Sequence, residues 1–398
     1  MKPITSSTLN RLSESATLAM ARMARELRAE GHDVIALSLG EPDFNTPDFI
    51  KEAAKKAIDD NFTKYPPVAG YADLREAISV KFKRDNGLDY GPNQIVASTG
   101  AKQTIANVVM ALVSPGDEVL LPAPFWVSYS EIVKLAGGTP VIITTDIDAD
   151  FKVSPEQLES HIGPKTRMMI FSSPCNPTGS VYNREELAGL AAVIAKHPEL
   201  AVICDEIYEL IRFEGEHVSL ASFSEVYDQV ITVNGVSKGF SMTGWRLGYM
   251  GAPEWIAKAC AKMQGQTTSA PSSISQKAST AAVLADPSTV DYMREAFFKR
   301  RGLMLELLGQ ISGLKLNVPE GAFYIFPECS SYFGTSWEGG QINNASDLCM
   351  YLLQQAHVAV VTGDAFGAPN YFRISYAASE DTLREAAQRM KKALDALS

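Results

Sequence analysis

The chain has 398 residues, of which 46% are hydrophobic and 21% are charged, and its formal net charge is -10. A chain of this length usually exceeds what one hydrophobic core supports, so we expect two folded domains. The acidic balance, without any basic stripe, argues against nucleic acid or an anionic membrane as a partner.

Cysteine and histidine usage narrows the class of protein further. The five cysteines are odd in number and include no Cys-x-x-Cys pair, which favours reduced thiols over a disulfide or zinc framework. The five histidines lie far apart along the chain, so we expect no metal site. No apolar run approaches membrane-spanning length, and the N-terminus lacks the apolar core of a signal peptide. These features predict a cytoplasmic protein.

Apolar segments alternate with helical patterns through most of the chain. The first predicted segments are a helix at 17–28 and strands at 34–40, 94–99, 117–121, 139–144, 167–172, 200–204, 230–234 and 247–251. The strands are rich in Val and Ile without strict polar alternation, as expected when helices cover both faces of a sheet. The pattern predicts an α/β fold with a mainly parallel sheet.

The C-terminal part has a different pattern. It contains an amphipathic helix at 288–310, apolar strand-like segments at 314–318 and 323–326, a helix at 348–355, apolar segments at 358–361 and 371–376, and a terminal helix at 380–397. This arrangement is typical of a smaller α+β domain. We therefore expect a large domain at 47–287 and a small domain formed by 1–46 and 288–398.

Lys238 follows the predicted strand 230–234, in a Gly/Ser-containing segment that ends at Arg246. Ligands of open α/β sheets bind at the carboxyl ends of the strands. A primary amine attacks a carbonyl group well when burial or a nearby cation lowers its pKa, and Arg246 could provide that charge while also holding a phosphate. The segment predicts an anchor for pyridoxal phosphate. A solvated loop lysine is the alternative for this motif taken alone.

A phosphate site is also predicted after strand 94–99, where Gly100, Ala101 and Lys102 open a helix. Free backbone N–H groups and the helix dipole favour an anion at that position, and Gly100 permits close approach. Many helices begin with small residues, so this motif needs support from the others.

Polar residues follow two more strands of the predicted sheet. Asp205 can pair with a protonated pyridine nitrogen, and Tyr208 can hydrogen-bond a phenolate oxygen of the same ring. The alternative role for Asp205 is a helix N-cap. Asn176 lies in a turn-rich segment after strand 167–172, where it is either an amide ligand or an ordinary turn residue.

Taken in order, these motifs resemble the class I pyridoxal-phosphate aminotransferases of fold type I. The motifs are Gly-Ala-Lys at 100–102, Asn-Pro-Thr-Gly at 176–179, Asp-Glu-Ile-Tyr at 205–208, the segment 237–246 and Phe-Arg-Ile-Ser-Tyr at 372–376. The likeness covers essentially the whole chain and implies a sheet of the seven-stranded type. Segments 15–17, 39–44 and 64–70 are similar to the bacterial aspartate aminotransferase branch.

The resemblance implies roles around the cofactor, pyridoxal 5'-phosphate. Lys238 would carry the internal aldimine and move the substrate's proton, Asp205 would pair with the pyridinium nitrogen, and Trp126 would stack on the ring. Asn176 and Tyr208 would bind the phenolic oxygen. The phosphate region would be surrounded by Gly100, Ala101, Lys102, Ser237 and Arg246, with Tyr65 from the neighbouring subunit of a homodimer.

The resemblance also implies substrate contacts. Arg373 would clamp the α-carboxylate with two parallel hydrogen bonds, helped by Asn176 and the backbone of Gly40, with Trp126 alongside. Segment 264–270 contains no arginine to bind a second carboxylate. In the bacterial branch that work would fall to Lys102, Ser15 and Thr17.

The implied reaction moves the amino group of L-aspartate to 2-oxoglutarate in a ping-pong cycle between pyridoxal and pyridoxamine phosphate. Aromatic or prephenate-type substrates remain alternatives, because side-chain pockets are set by few contacts. A pyridoxal-phosphate lyase or decarboxylase on the same fold is another. A ligand-sensing regulator would need a DNA-binding module, and no basic helix-turn-helix segment precedes residue 40.

Overall fold

The computed structural model describes residues 4–397. The strands within that range are β1 (Ile35–Ala36), β2 (Ile95–Ser98), β3 (Glu118–Ala123), β4 (Thr139–Thr144), β5 (Thr166–Ser172), β6 (Ala201–Asp205), β7 (Val230–Gly235), β8 (Gly248–Gly251), β9 (Tyr324–Ile325), β10 (Ser336–Trp337), β11 (Gly340–Gln341), β12 (Val358–Ala359), β13 (Val361–Thr362) and β14 (Phe372–Ser375).

Helices precede, separate and follow these strands. They are α1 (Ala16–Ala29), α2 (Asp48–Asp59), α3 (Ala72–Lys81), α4 (Ala101–Leu112), α5 (Ser128–Ala136), α6 (Pro155–His161), α7 (Arg184–Ile194), α8 (Glu254–Gly265), α9 (Ser273–Leu284), α10 (Asp291–Leu308), α11 (Ala345–Tyr351) and α12 (Glu380–Leu394). None of these helices combines the length and the apolar character needed to cross a membrane.

A seven-stranded sheet with the order β2-β8-β7-β6-β5-β3-β4 forms the centre of the fold. Only β8 runs antiparallel to its neighbours within this sheet. Alternate residues of β6 enter different hydrophobic clusters: Val202 and Cys204 pack on one side and Ile203 on the other. Both faces of the sheet are therefore covered, which confirms the predicted mainly parallel α/β fold.

The N-terminal segment joins the C-terminal part of the chain. Strand β1 pairs in parallel with β12, and β13, β14 and β9 form a separate three-stranded antiparallel sheet. Helices α10 and α12 pack against each other beside these strands. This is the smaller α+β layer that the sequence predicts, whereas domain boundaries at residues 47 and 287 stay a prediction.

Two predicted strands are much shorter in the structure or missing. Only Ile35–Ala36 of segment 34–40 is a strand. Segment 314–318 contains an isolated bridge at Lys315 instead of a strand. The cause lies in Asn317, whose side-chain oxygen accepts a hydrogen bond from the Phe326 N–H at 3.2 Å while its amide group donates to the Thr178 carbonyl at 2.7 Å. A side chain thus takes the place of a strand ladder.

Smaller differences occur near the C-terminus. Segment 358–361 is split between β12 and β13, and helix α11 ends at Tyr351 before a wider turn that closes at His357, whose φ is 52°. The hairpin formed by β10 and β11 was not predicted, because its two-residue strands are too short to give a period-two pattern.

The close approach of β8 to the start of α4 depends on Gly248. A Cβ atom placed at Gly248 would overlap the backbone nitrogen of Ala101, and it would lie 2.5 Å from the carbonyl carbon of Gly100. Backbone atoms cannot move aside as a flexible side chain can. The start of α4 is therefore fixed by the absence of a side chain on the neighbouring strand.

We expect Gly248→Ala to destabilise the fold by about 1–3 kcal/mol, the usual cost of overpacking a tight interior. Urea unfolding would measure the free energy of unfolding. Gly163→Ala is the matched control, since a Cβ there meets nothing within 4 Å. Equal stability of the two variants would contradict the steric argument.

Candidate active site

A cleft of about 280 Å³ opens where the parallel strands of the large sheet end. Most of the residues that sequence analysis selected line it: Ser15, Thr17, Gly40, Ala101, Lys102, Trp126, Asn176, Asp205, Tyr208, Ser237, Lys238, Arg246 and Arg373. The cleft thus brings together residues from the ends of five strands, from the start of α1 and from β14. Gly100 lies directly beside it, and Tyr65 does not line it.

Lys238 extends into the cleft from the loop that follows β7. Its amine donates a hydrogen bond to the carbonyl oxygen of Gly40. Burial, together with the positive charges of Arg373 and Arg246, lowers the pKa of Lys238 to about 8, although the carboxylates of Glu41 and Asp205 raise it. A large fraction of the amine is therefore neutral and nucleophilic at mildly alkaline pH.

Asp205 ends β6 and is buried. Its carboxylate accepts a hydrogen bond from the hydroxyl of Tyr129 at 2.7 Å and a longer one, 3.3 Å, from the Ile207 N–H. Burial raises the pKa of Asp205 to about 6 although both hydrogen bonds lower it. No helix starts at Asp205, so the alternative role as a helix N-cap is excluded.

Tyr208 and Tyr324 form a pair of buried phenols at the floor of the cleft. Their hydroxyl oxygens lie 2.7 Å apart, and burial raises the pKa of both well into the range where they stay protonated at neutral pH. The ring of Tyr208 lies 5.9 Å from the amine of Lys238. Tyr208 therefore presents a neutral hydrogen-bonding group next to the reactive amine.

Arg373 is only 2% exposed, yet it has no carboxylate partner among residues 4–397. Its guanidinium donates to the side-chain oxygen of Asn176 at 2.8 Å and to the carbonyl of Ser38 at 2.5 Å. The rings of Tyr324 and Phe366 lie 4.6 and 5.0 Å from its central carbon. A buried cation held only by neutral groups and facing a cleft is a receptor for an anion.

A second anion site lies at the start of α4. Gly100 precedes the helix with φ of 85°, and a Cβ atom there would overlap the guanidinium of Arg246. Arg246 itself is bound only to backbone carbonyls, those of Thr243 at 2.9 Å and Thr99 at 3.3 Å. Free helix N–H groups and this guanidinium, with Ser237 nearby, form a cradle of the size and charge of a phosphate.

Lys102 and Trp126 form one wall of the cleft. The Lys102 amine lies 5.0 Å from the Trp126 ring centroid. Lys102 is partly open to solvent. Two effects lower the pKa of its amine: partial burial, which is the larger, and repulsion from the positive charge of Arg246. Ser15 and Thr17 belong to the first turn of α1, and the Ser15 hydroxyl does not cap that helix. The hydroxyl of Ser15 therefore remains available at the cleft.

Tyr65 is 97% exposed and does not contact the cleft of its own chain. A large aromatic side chain in that environment is unusual unless another molecule covers it.

A family model described as aminotransferase class I and II matches residues 32–390. The chain belongs to this family. An aspartate aminotransferase of Pinus pinaster is 50% identical over 389 residues, which cover 96% of this chain and 79% of that protein. A probable aspartate/prephenate aminotransferase of Rickettsia bellii is 48% identical over 397 residues, 99% of this chain and 100% of that one.

The fold has a close counterpart among solved structures. The crystal structure of the aspartate aminotransferase from Rhizobium meliloti superposes with a TM-score of 0.96 at 43% sequence identity, and the match covers 100% of both chains. The predicted family, fold type I architecture and aminotransferase activity are confirmed. Amino acids and 2-oxo acids are the substrates of such an enzyme.

The cleft of this aminotransferase fits pyridoxal 5'-phosphate, the cofactor of the family. The cradle at the start of α4 suits its phosphate, since a side chain at Gly100 would fill the space next to Arg246. The buried Asp205 has an elevated pKa and suits a protonated ring nitrogen. Lys238 supplies an amine with a lowered pKa for the aldehyde.

Several residues of the aminotransferase cleft escaped sequence analysis. Tyr129 and Tyr324 contact Asp205 and Tyr208 directly, and Thr243 bonds Glu41 near Lys238. Spacing offers one signal: Tyr129 lies three positions after Trp126, and the two rings meet edge to face at 5.5 Å where α5 begins. Tyr324 carries no such signal, because it reaches the cleft through pairing of β9 with β14.

The lowered pKa of Lys238 has a measurable consequence in the aminotransferase without cofactor. The amine should react with acetic anhydride half-maximally near pH 8, because only the deprotonated form attacks. Ordinary lysines should react half-maximally near pH 10.4. Isotope-coded acetylation followed by mass spectrometry measures each lysine separately. A midpoint for Lys238 equal to that of the surface lysines would contradict the proposed electrostatic effect of burial.

Proposed function

We propose that this aminotransferase transfers the α-amino group of L-aspartate to 2-oxoglutarate. The observation that carries the proposal is that two cations line one cleft, Arg373 and Lys102, and that neither has a carboxylate partner among the described residues. Two carboxylates on one small substrate match two such cations. The names of the relatives, which include aspartate in both cases, support the same assignment.

We propose residue roles that the geometry supports. Bound pyridoxal phosphate supplies an electron sink that allows a proton to leave the α-carbon of the amino acid. The Lys238 amine accepts that proton and returns it, and its pKa of about 8 suits both steps near neutral pH. Asp205 holds the proton on the cofactor's ring nitrogen, and Tyr208 and Asn176 bind the ring's oxygen.

The remaining side chains bind and orient. Arg373 holds the α-carboxylate, with Asn176 and the backbone of Gly40 beside it, and Trp126 covers the ring. Lys102, Ser15 and Thr17 bind the distal carboxylate. The phosphate is held by Gly100, Ala101, Lys102, Ser237 and Arg246, together with Tyr65 of a second subunit.

Prephenate is a second candidate for the substrate pair, because the Rickettsia bellii relative is named for aspartate and prephenate. Prephenate also carries two carboxylates, so the same two cations would serve it. Prephenate carries a six-membered ring that aspartate lacks, and kinetic comparison of the amino and oxo forms of both substrates would rank them.

The role of Lys102 can be tested through selectivity. A hydrogen bond to a charged group contributes about 1.5–3 kcal/mol, so Lys102→Ala should lower kcat/KM for L-aspartate about 10- to 100-fold. The value for L-alanine should change far less, since alanine has no distal carboxylate. Lys196→Ala, which removes a surface lysine paired with Glu159, is the control. Equal losses for both amino acids would assign Lys102 to the phosphate alone.

We also infer a homodimer with shared active sites. Its support is the exposed Tyr65, whose segment is similar to the family's cross-subunit phosphate contact, and the prevalence of two-fold symmetric dimers. We also propose that residues 47–287 form a large domain, that 1–46 and 288–398 form a small one, and that the protein is cytoplasmic.

Subunit mixing tests the sharing of sites. We expect Tyr65→Phe and Lys238→Ala homodimers each to be impaired, the latter completely. A heterodimer of the two would place both defects in one site and leave the other intact, so activity should reappear after mixing. Differently tagged subunits would verify the exchange. Absence of recovery in verified heterodimers, or a monomer by sedimentation, would overturn the inference.

A further inference from the structure

A buried polar cluster lies directly behind the active site, on the other side of the turn formed by residues 205–209. Asp205 and Tyr208 of this turn face the cleft, whereas Glu206 and Glu209 face the protein interior. Glu206 is 0% exposed. The same five residues therefore carry active-site groups on one side and buried carboxylates on the other.

The contacts of Glu206 make it the centre of this cluster. One carboxylate oxygen lies 2.8 Å from Nε2 of His217, accepts a hydrogen bond from Ser219 at 2.7 Å and receives a longer one, 3.3 Å, from the Asn86 amide. The other oxygen has no hydrogen-bond partner within the described chain. Glu206 thus depends on His217 for a compensating charge.

Glu209 has its own cation. Lys81, the last residue of α3, forms a salt bridge with Glu209 and also bonds the side-chain oxygen of Asn86 at 2.7 Å. The Asn86 amide donates to Glu209 at 2.9 Å. Because the Lys81 ammonium already occupies this position, the Glu206, Glu209 and His217 group is better suited to an ion pair than to a metal ion.

We propose that His217 is a positioning residue, whose protonated imidazole pairs with Glu206 and thereby holds the turn 205–209 in the geometry that Asp205 and Tyr208 need to bind the cofactor. This inference rests on the proposed roles of Asp205 and Tyr208. It concerns the noncovalent fit of the cofactor and not the identity of the substrate.

The charge balance of the cluster supports a protonated His217. Burial lowers the pKa of His217, but the carboxylates of Glu206 and then Glu209 raise it above 6.5, while Lys81 opposes them. Although burial raises the pKa of Glu209, Lys81 and His217 lower it below its ordinary value. With His217 protonated, the two glutamates face two cations.

Other charged or titratable groups near the cluster do not change this balance around neutral pH. Asp85 lies 3.8 Å from the Lys81 amine and is paired with Arg84 at 2.5 Å. Burial raises the pKa of the neighbouring Cys204, Tyr90 and Tyr249, which keeps them neutral. His217 is therefore the group of this cluster whose charge changes as the pH rises through a pKa above 6.5.

The sign of the pH effect follows from the raised pKa. The stabilisation by the His217–Glu206 pair is complete below about pH 6.5, the pKa of an unfolded histidine, and it is lost as the pH rises through the folded value. We therefore expect cofactor binding to weaken at alkaline pH through His217, independently of the titration of Lys238.

Pyridoxamine 5'-phosphate is the probe of choice, because it lacks the aldehyde and cannot bond covalently to Lys238. His217→Gln keeps a hydrogen-bond donor and removes the charge. At pH 6.5 we expect it to weaken pyridoxamine phosphate binding about 3- to 30-fold, the range found for side chains that couple to a site through a network. Above the pKa of His217 the ratio of variant to wild-type dissociation constants should approach one.

His197→Gln is the matched control, since His197 also pairs with a glutamate, Glu159, at 3.2 Å but on the surface. Its binding constant should equal that of the wild type at every pH. A purely structural role of His217 would lower the thermal unfolding temperature and leave the dissociation constant unchanged, and that result would overturn the proposal. Equal binding by His217→Gln and wild type at pH 6.5 would do the same.

Two further measurements cover the case in which His217→Gln does not fold. The double variant Glu206→Gln with His217→Gln removes the uncompensated carboxylate, so it should recover both folding and part of the affinity. In the wild type, the NMR titration of His217 should coincide with a step in pyridoxamine phosphate affinity. Absence of both effects would refute the inference.

Asp205→Asn and Tyr208→Phe belong in the same binding assay. If they weaken pyridoxamine phosphate binding and His217→Gln does not, the roles of Asp205 and Tyr208 stand and the inference about His217 fails. If Asp205→Asn and Tyr208→Phe bind like the wild type, the proposed residue roles fail first.

Discussion

The structure buries charged side chains at the open cleft, where no oppositely charged side chain of the described residues pairs with them. Arg373 is the clearest case, because its guanidinium is almost completely buried and bonds only to the amide oxygen of Asn176 and the carbonyl of Ser38. Burying an unpaired charge costs several kcal/mol. The aromatic rings of Tyr324 and Phe366 and the two hydrogen bonds offset part of that cost, and an anionic substrate supplies the rest.

Asp205 is also a buried ionisable group at the cleft, but its charge is negative. The hydroxyl of Tyr129 and the Ile207 N–H hold its carboxylate in place, yet its pKa stays near 6 because burial outweighs both. A site that is polarised in this way before any ligand arrives needs little reorganisation when charge develops during a reaction. The large sheet makes this possible, since its strand ends fix the backbone positions from which these side chains extend.

Sequence reasoning succeeded where one residue's position depends on one element. Lys238 and Asp205 each lie at or just after the end of a single strand, so a strand prediction places them at the ligand-binding edge. It failed where position depends on contacts between distant segments. Tyr324 reaches the cleft through the register of β9 with β14, and His217 meets Glu206 from a loop without regular structure.

The missing strand at 314–318 has a related cause. Its apolar pattern is compatible with a strand, but the side chain of Asn317 bonds both Phe326 and Thr178 and replaces the backbone ladder. Local propensity cannot reveal that these side-chain hydrogen bonds replace strand pairing, because the partners of Asn317 lie 9 and 139 positions away. A polar side chain that bonds distant backbone groups is therefore one source of error in predicting this fold.

The two cations proposed to bind substrate differ in rigidity, and in those roles this difference would allow one cleft to accept more than one amino acid. Arg373 is buried on a strand and fixed by neutral partners, so in its proposed role it would offer a preorganised site to the α-carboxylate common to all amino acids. Lys102 lies in the first turn of a helix, is partly open to solvent and rests on the ring of Trp126. A long flexible amine can follow carboxylates at different distances from the α-carbon. Under the proposed roles, recognition of the shared part of the substrate would be rigid, whereas recognition of the variable part would be adjustable.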